Sequence, residues 1–277
     1  MKIAIQGELG SNSHMAALAM LGAEAGSIEI VACSVSAQVF DRLVDGEVDG
    51  AVLPIENSLH GSVAEHYDLL LEHPVRIERE SLMHIRHNVI AMPGVRFEDL
   101  RRIMSHPVAL AQCRHFLNQH RQLEVIPFYD TAGSVKHVME AGLRDAAGLA
   151  PALAATEYGA EVLMPGVEDH AANFTRFHLI VPDSAATSAS EVAPNKMSLA
   201  FAIEHRPGSL VAALERLNAE NVDLTKIESR PVPGSPWEYV FYVDVRFPAI
   251  ENADAAVAAL RAHCRMVKEL GRYVAAS

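Results

Sequence analysis

The sequence is poor in cysteine, in tryptophan and in positive charge. Its 277 residues hold 3 Cys, 1 Trp and 23 Lys plus Arg against 35 Asp plus Glu, a formal charge of −12. Cys33, Cys113 and Cys264 are widely spaced and odd in number, which excludes a disulfide framework and points to a reducing cytoplasm. The negative balance argues against nucleic acid and against an anionic membrane surface as partners. No apolar run approaches the ~20 residues a membrane-spanning helix needs. The opening "MKIAIQGELGS" has one lysine and a short apolar segment before a glycine turn, so a first strand is expected there and not a signal peptide. "GELGSNS" lacks a convincing GxGxxG fingerprint, and no nicotinamide or flavin cofactor is expected. His84, His87 and His106 tempt a metal reading, but they lack the carboxylate or cysteine set of a metal site, so none is expected.

What is present is alternation. "KIAIQG", "IEIVAC" and "DGAVLPI" have strand character, and "HMAALAMLG" and "SAQVFDRLVDG" have helical periodicity. The pattern continues through "HNVIAMPG", "ALAQCRHFLNQH", "LEVIPFYD", "AGSVKHVMEAG", "AAGLA" and "PALAATEYG". Such an order predicts an α/β fold with parallel sheets and crossover helices. Ligands of such sheets gather at the carboxyl ends of strands. Two polar clusters, "GELGSNS" and "IENS", follow strands and mark a candidate cleft.

Residues 184–195, "SAATSASEVAPN", are small and almost uncharged, as in a linker. Beyond it "KMSLAFAIEH" alternates, with Met197, Leu199, Phe201 and Ile203 on one face and Ser198, Ala200 and Ala202 on the other. "GSLVAALERLNAEN" carries Leu210, Leu214 and Leu217 on one stripe. Two strands flank a turn around "VPGSP", a last helix opens near Asn252, and a terminal strand lies around Tyr273. This order is a ferredoxin-like βαββαβ module.

Six motifs occur together: "PIENSLHGSV", "SHPVALAQC", "DTAGSV", "NFTRF", "RPGSL" and "ESRP". On them the chain resembles the prephenate dehydratase family with a C-terminal ACT regulatory domain, over nearly its whole length. The resemblance implies a catalytic domain over 1–183, made of two lobes akin to a periplasmic binding protein, a linker over 184–195 and an ACT domain over 196–277. It implies a carbon–oxygen lyase that converts prephenate to phenylpyruvate, with loss of carbon dioxide and water, and a homodimer or homotetramer with phenylalanine as effector. Arogenate dehydratase, acting on the amino analogue, and a non-catalytic amino-acid sensor are the rival readings. Glu8, Asn12, His66 and Val108 depart from the family pattern.

The resemblance assigns Thr175 as proton donor to the departing hydroxyl; on residue type alone a β-branched Thr also simply suits a strand. Strict alternation would put Thr175 and Phe177 on one face and Arg176 on the other, so both Thr175 and Arg176 reach substrate only at the mouth of the strand. Arg176 suits a bidentate carboxylate contact, and equally an ordinary salt bridge. Asn57 and Ser58 are expected to hold substrate polar atoms, while Glu56 orients a donor, stays protonated near the leaving hydroxyl, or caps the strand. Ser11 and Ser13 open a helix and serve an anion or a plain N-cap. Gln112, Thr131 and Ser134 are candidates from the second lobe. In the C-terminal module the resemblance implies phenylalanine contacts by Gly208, Ser209 and Leu210, and by Glu228, Ser229, Arg230 and Pro231. A chain ending near Pro182 is expected to keep basal activity and lose the response.

Overall fold

A computed structural model describes residues 1–22, 28–185, 192–232 and 238–276. Residues 186–191 of the expected linker, and all but the first residue of the "VPGSP" turn, lie outside the described residues. The first sheet starts with β1 (Lys2–Gln6), β2 (Glu29–Cys33) and β3 (Gly50–Asn57), all parallel. Helices α1 (Asn12–Leu21) and α2 (Ser36–Val44) connect them. Ser11 caps α1 and Gly22 ends it at φ 51, while α2 buries Val39, Phe40 and Leu43 on one stripe. A two-residue strand β4 (Gly61–Ser62) folds back on β3, and α3 (Ala64–Glu72) leads into β5 (Val75–His84).

The chain then leaves for a second lobe. There β6 (Asn88–Ala91), β7 (Arg102–Ser105), β8 (Glu124–Pro127), β9 (Ala146–Ala150) and β10 (Glu161–Met164) form a sheet in the order β10-β6-β9-β7-β8. The helices are α4 (Pro107–Ala111), α5 (Arg114–Gln119), α6 (Thr131–Glu140) and α7 (Ala152–Tyr158). "ALAQCRHFLNQH" therefore holds the end of one short helix and the whole of a second, with Gln112 ending the first.

The chain returns as β11 (Phe174–Pro182), which inserts between β3 and β5 in the order β2-β1-β3-β11-β5. Here the expectation of parallel sheets is corrected, because both sheets are mixed. β11 is antiparallel to β3 and β5, and β6 is antiparallel to β9 and β10. The reason is the double crossing. β5 runs towards the second lobe and β11 runs away from it, with His84 facing Phe174 at the crossing, so the two must oppose each other.

Residues 196–273 build a third sheet from β12 (Lys196–Ala202), β13 (Asp223–Pro231), β14 (Tyr239–Arg246) and β15 (Met266–Tyr273). It is antiparallel in the order β13-β14-β12-β15, with α8 (Ser209–Ala219) and α9 (Ile250–His263) connecting in βαββαβ sequence. Met197, Leu199 and Phe201 pack with Ala253, Val257 and Leu260 of α9. The opposite face is not free: Ala200, Val240, Tyr242, Leu270 and Tyr273 share one core with Phe40, Leu53, Tyr67 and Ile77 of the first lobe. Contact is so close at Gly271 (φ 153) that a Cβ there would collide with the backbone of Ile77. Lys268 reaches across to the carbonyls of Leu70, Leu71 and His73 at 2.8, 3.0 and 2.6 Å, closing the C-terminus of α3.

Candidate active site

A cavity of about 540 Å³ lies between the two lobes. From the first lobe it takes the loop after β1, the start of α1, the ends of β3 and β4, and the start of β11; from the second it takes the residues after β7 and β8. This is the strand-end location that the polar clusters indicated. Gly10, at φ 81, lets the loop touch the second lobe: a Cβ there would meet the Ala154 Cα at 2.6 Å.

Of the residues singled out in the sequence, Ser11, Ser13, Asn57, Gln112, Thr131, Thr175 and Phe177 line this cavity. The centre is the pair Asn57–Thr175, which face each other across β3 and β11. The Asn57 Oδ1 accepts from the backbone N–H groups of Leu59 and His60, both at 3.0 Å, which fixes the orientation of the amide. Its Nδ2 then shares its two hydrogens among the Thr175 Oγ1 at 2.9 Å, the Asn173 Oδ1 at 2.8 Å and the Phe174 carbonyl at 3.1 Å. Gln112 ties this group to the second lobe: its Oε1 accepts from Asn173 at 3.0 Å and from the ring of His87 at 2.8 Å. Its Nε2 donates to the His60 Nδ1 at 3.2 Å.

Four candidates lie elsewhere, each for a visible reason. Alternation along β11 does hold, so Arg176 points to the opposite face, where it bonds Asp244, Glu80 at 3.1 Å and Glu56 at 2.9 Å. The salt-bridge alternative describes it, and no carboxylate of a substrate can reach it in the cleft. Glu56 likewise turns away from the cleft. Burial would raise its pKa, but Lys226 and Arg176 outweigh burial and hold the carboxyl below its ordinary value, so it is no protonated donor. Ser58 accepts from the Phe174 N–H at 3.0 Å and donates to the Ala172 carbonyl at 3.2 Å, tying the end of β3 to the start of β11. Ser134 is fully buried in α6 and back-bonds to the Thr131 carbonyl at 2.6 Å.

Several cleft residues escaped the sequence reading. His60 lines it, together with His87 and His106, which the sequence had singled out only as metal candidates; burial lowers the pKa of the last two. Asp130 caps α6 by accepting from Gly133 at 2.7 Å, and burial pushes its carboxyl up. The Asp directly before "TAG" is an N-cap signature that could have marked it. Glu8 accepts from the Tyr129 hydroxyl at 2.8 Å and from Lys136 at 2.9 Å. No lysine or arginine among the described residues lines the cavity. His66 does not reach it: fully buried, its ring bridges the Pro54 carbonyl and the Ser36 hydroxyl.

In the third sheet, Gly208 and Leu210 border a second cavity of about 150 Å³. Ser209 is buried beside it at the start of α8. Glu228 and Arg230 turn instead to the first lobe, towards Ser62 at 2.7 Å and Asp68 at 2.8 Å, while Ser229 and Pro231 stay exposed. The seven residues do not form one site within a single chain.

Hydroxyl and amide donors gathered over the apolar floor of Phe177, in a cleft between two α/β lobes, suit a lyase that stabilises a departing oxygen by hydrogen bonding. Residues 3–185 match the family model of prephenate dehydratase, and the chain belongs to that family of dehydratases. It is 36% identical to arogenate dehydratase 2 of Petunia hybrida, over 99% of this chain and 71% of that one. The prephenate dehydratase of Arthrobacter aurescens, solved in complex with L-Phe, superposes with a TM-score of 0.87 at 30% identity, covering 99% of this chain and 90% of that chain. GqqA, described as a novel type of quorum quenching acylase, superposes at 0.85 with 31% identity over 99% and 98%.

Proposed function

We propose that the cleft dehydrates and decarboxylates prephenate, with Thr175 as hydrogen-bond donor to the departing hydroxyl. The observation that carries this reading is the bond from the Asn57 Nδ2 to the Thr175 Oγ1. The oxygen already accepts, so the hydroxyl proton is free for an oxygen in the cleft. In the reaction the ring C–O bond and the bond to the ring carboxylate break together. The electron pair of the carboxylate bond enters the ring, carbon dioxide leaves, and hydroxide departs hydrogen-bonded to Thr175 before taking a proton from solvent. Aromatisation drives the step, no proton leaves carbon, and no strong base is required. The carboxylates of the substrate meet the N-terminus of α1 at Ser11 and Ser13 and the hydroxyl of Thr131. The test is Thr175→Val, close in shape, which is expected to lower kcat by on the order of 10²-fold while KM changes little. A near-native kcat would remove Thr175 from the mechanism.

A second reading, arogenate as substrate, is favoured by Glu8 and Asp130 in the cavity wall. A carboxylate suits an α-ammonium better than a keto group, and the relative from Petunia hybrida is named for arogenate. Glu8→Gln should then lower kcat/KM for arogenate more than for prephenate, and equal losses would count against it.

The βαββαβ unit is assigned as an ACT domain with phenylalanine as effector. What supports this is its strand order, "RPGSL" beside the smaller cavity and the L-Phe complex of the Arthrobacter enzyme. Because Ser229 and Pro231 lie apart from that cavity, a ligand touching both motifs lies between two copies of the chain, which requires at least a dimer. Calorimetry with phenylalanine, alongside sedimentation, tests both points; absence of binding to the full chain would refute the assignment.

A further inference from the structure

Thr175 and Arg176 are neighbours on β11, and Asn57 and Glu56 are neighbours on β3. The register pairs Thr175 with Asn57 and Arg176 with Glu56. One pair faces the cleft and the next faces the third sheet. Directly after them the register shifts between Arg176 and Phe177, so that Ile55 has no partner on β11. A slip of one residue along this strand pair would turn Thr175 out of the cleft.

The residues that hold the outer pair come from the third sheet. Asp244 of β14 bonds Arg176 and is itself oriented by the Ser198 hydroxyl at 2.6 Å. Lys226 of β13 bonds the Glu56 Oε1 at 2.8 Å and the hydroxyl of Ser62, a cleft residue, also at 2.8 Å. Lys196 of β12 completes the group by bonding Glu80 at 2.6 Å. Three carboxylates thus meet three cations, with each sheet supplying part of both signs. Docking of the module does not need this group, since the shared apolar core, Lys268 and the Arg230–Asp68 pair already join the two parts. Buried ion pairs add little net stability but define a geometry, because any displacement leaves a charge without its partner.

We infer that Asp244 and Lys226 are positioning residues for the dehydration, holding Thr175 and Asn57 in place through Arg176 and Glu56. The inference rests on Thr175 being the donor, as proposed above. On this basis the C-terminal module is part of the machinery of the cleft even when no effector is bound.

The test uses the full chain. Asp244→Asn keeps an acceptor for Ser198 and leaves Arg176 with less compensation. It is expected to lower kcat about tenfold with KM for prephenate nearly unchanged, since small misplacements of a reacting group are costly. Lys268→Met breaks a polar contact of the same interface that leads to the C-terminus of α3 and to no cleft residue, and should leave kcat unchanged. In a Thr175→Val background, Asp244→Asn should change the residual rate by less than twofold, because it acts through the missing hydroxyl. Lys226→Met gives the same readings through Glu56 should Asp244→Asn fail to fold. Equal losses in Asp244→Asn and Lys268→Met, or an undiminished loss in the Thr175→Val background, would overturn the inference. Retention of activity by Thr175→Val alone would instead refute the donor reading itself.

Discussion

The two faces of the β3–β11 strand pair are opposite in chemistry. On the cleft face Asn57, Thr175 and Gln112 form a network of neutral donors and acceptors, each oriented by the next. On the opposite face Glu56, Glu80, Arg176, Asp244, Lys196 and Lys226 form a network of full charges. Burial disfavours the charge of Glu80, yet His178 and Lys196 hold its carboxyl well below the carboxylate range, and Arg176 and Lys196 do the same for Asp244. The neutral face can deform to accept a substrate at the cost of single hydrogen bonds. The charged face cannot, because each broken contact strands a buried ion. Rigid support behind an adaptable site is what the difference teaches.

The comparison can be broken most severely by removing the charged side altogether. A chain ending at Pro182 loses Ala200, Val240, Tyr242, Leu270 and Tyr273 from its shared core and leaves Arg176 and Glu80 without their partners from the module. The expectation that such a fragment keeps basal activity is therefore revised. It should lose near-UV circular dichroism and bind hydrophobic dye, as a loosely packed state does. A sharp thermal transition close to that of the full chain would contradict this. Next in size is Arg176→Met, which fills the volume but leaves Glu56, Glu80 and Asp244 to share two lysines. It should cost about 2 kcal/mol in urea unfolding, because three carboxylates are then held by two cations. Thr175→Val, on the neutral face, should show the converse: about 2–3 kcal/mol of transition-state stabilisation lost from kcat, with the unfolding midpoint hardly moved.

Proton titration sharpens the contrast. His66, His87 and His178 are buried, and burial lowers their pKa from the ordinary 6.5. Below about pH 6.5 the unfolded chain takes up protons that the folded chain refuses, so stability falls as pH falls. The depressed carboxyls of Glu56, Glu80 and Asp244 act later. Their contribution is present above the ordinary values of 4.5 and 3.8 and is lost as pH drops towards their folded values. The melting temperature should fall in two stages, and a flat profile between pH 7.5 and 5.5 would exclude the first. The smallest effect expected is from Ser134→Ala, about 1 kcal/mol of stability with kcat unchanged, because its hydroxyl bonds only within α6.

Local chemistry made much of the molecule legible in one dimension. Ser11 and Gly22 bound α1, apolar stripes mark α2 and α8, and alternation from Met197 to Phe201 identifies the two faces of β12. Thr175, Asn57 and Gln112 were found through their motifs, and all three reach the cleft. Such features depend on residues within a few positions of one another, so periodicity and capping reveal them. The partners of Arg176 lie in three different strands, at sequence separations such as the 68 residues to Asp244 and the 120 to Glu56. No local pattern encodes that choice between a substrate carboxylate and a buried salt bridge. The antiparallel return of β11, the link from His87 through Gln112 to Asn57, and the docking of the third sheet likewise arise only when distant segments meet. The sequence by itself determined which elements form and which residues could donate a proton; only the tertiary structure decided which way each of them faces, because the face is set by pairing and packing between strands far apart in the chain.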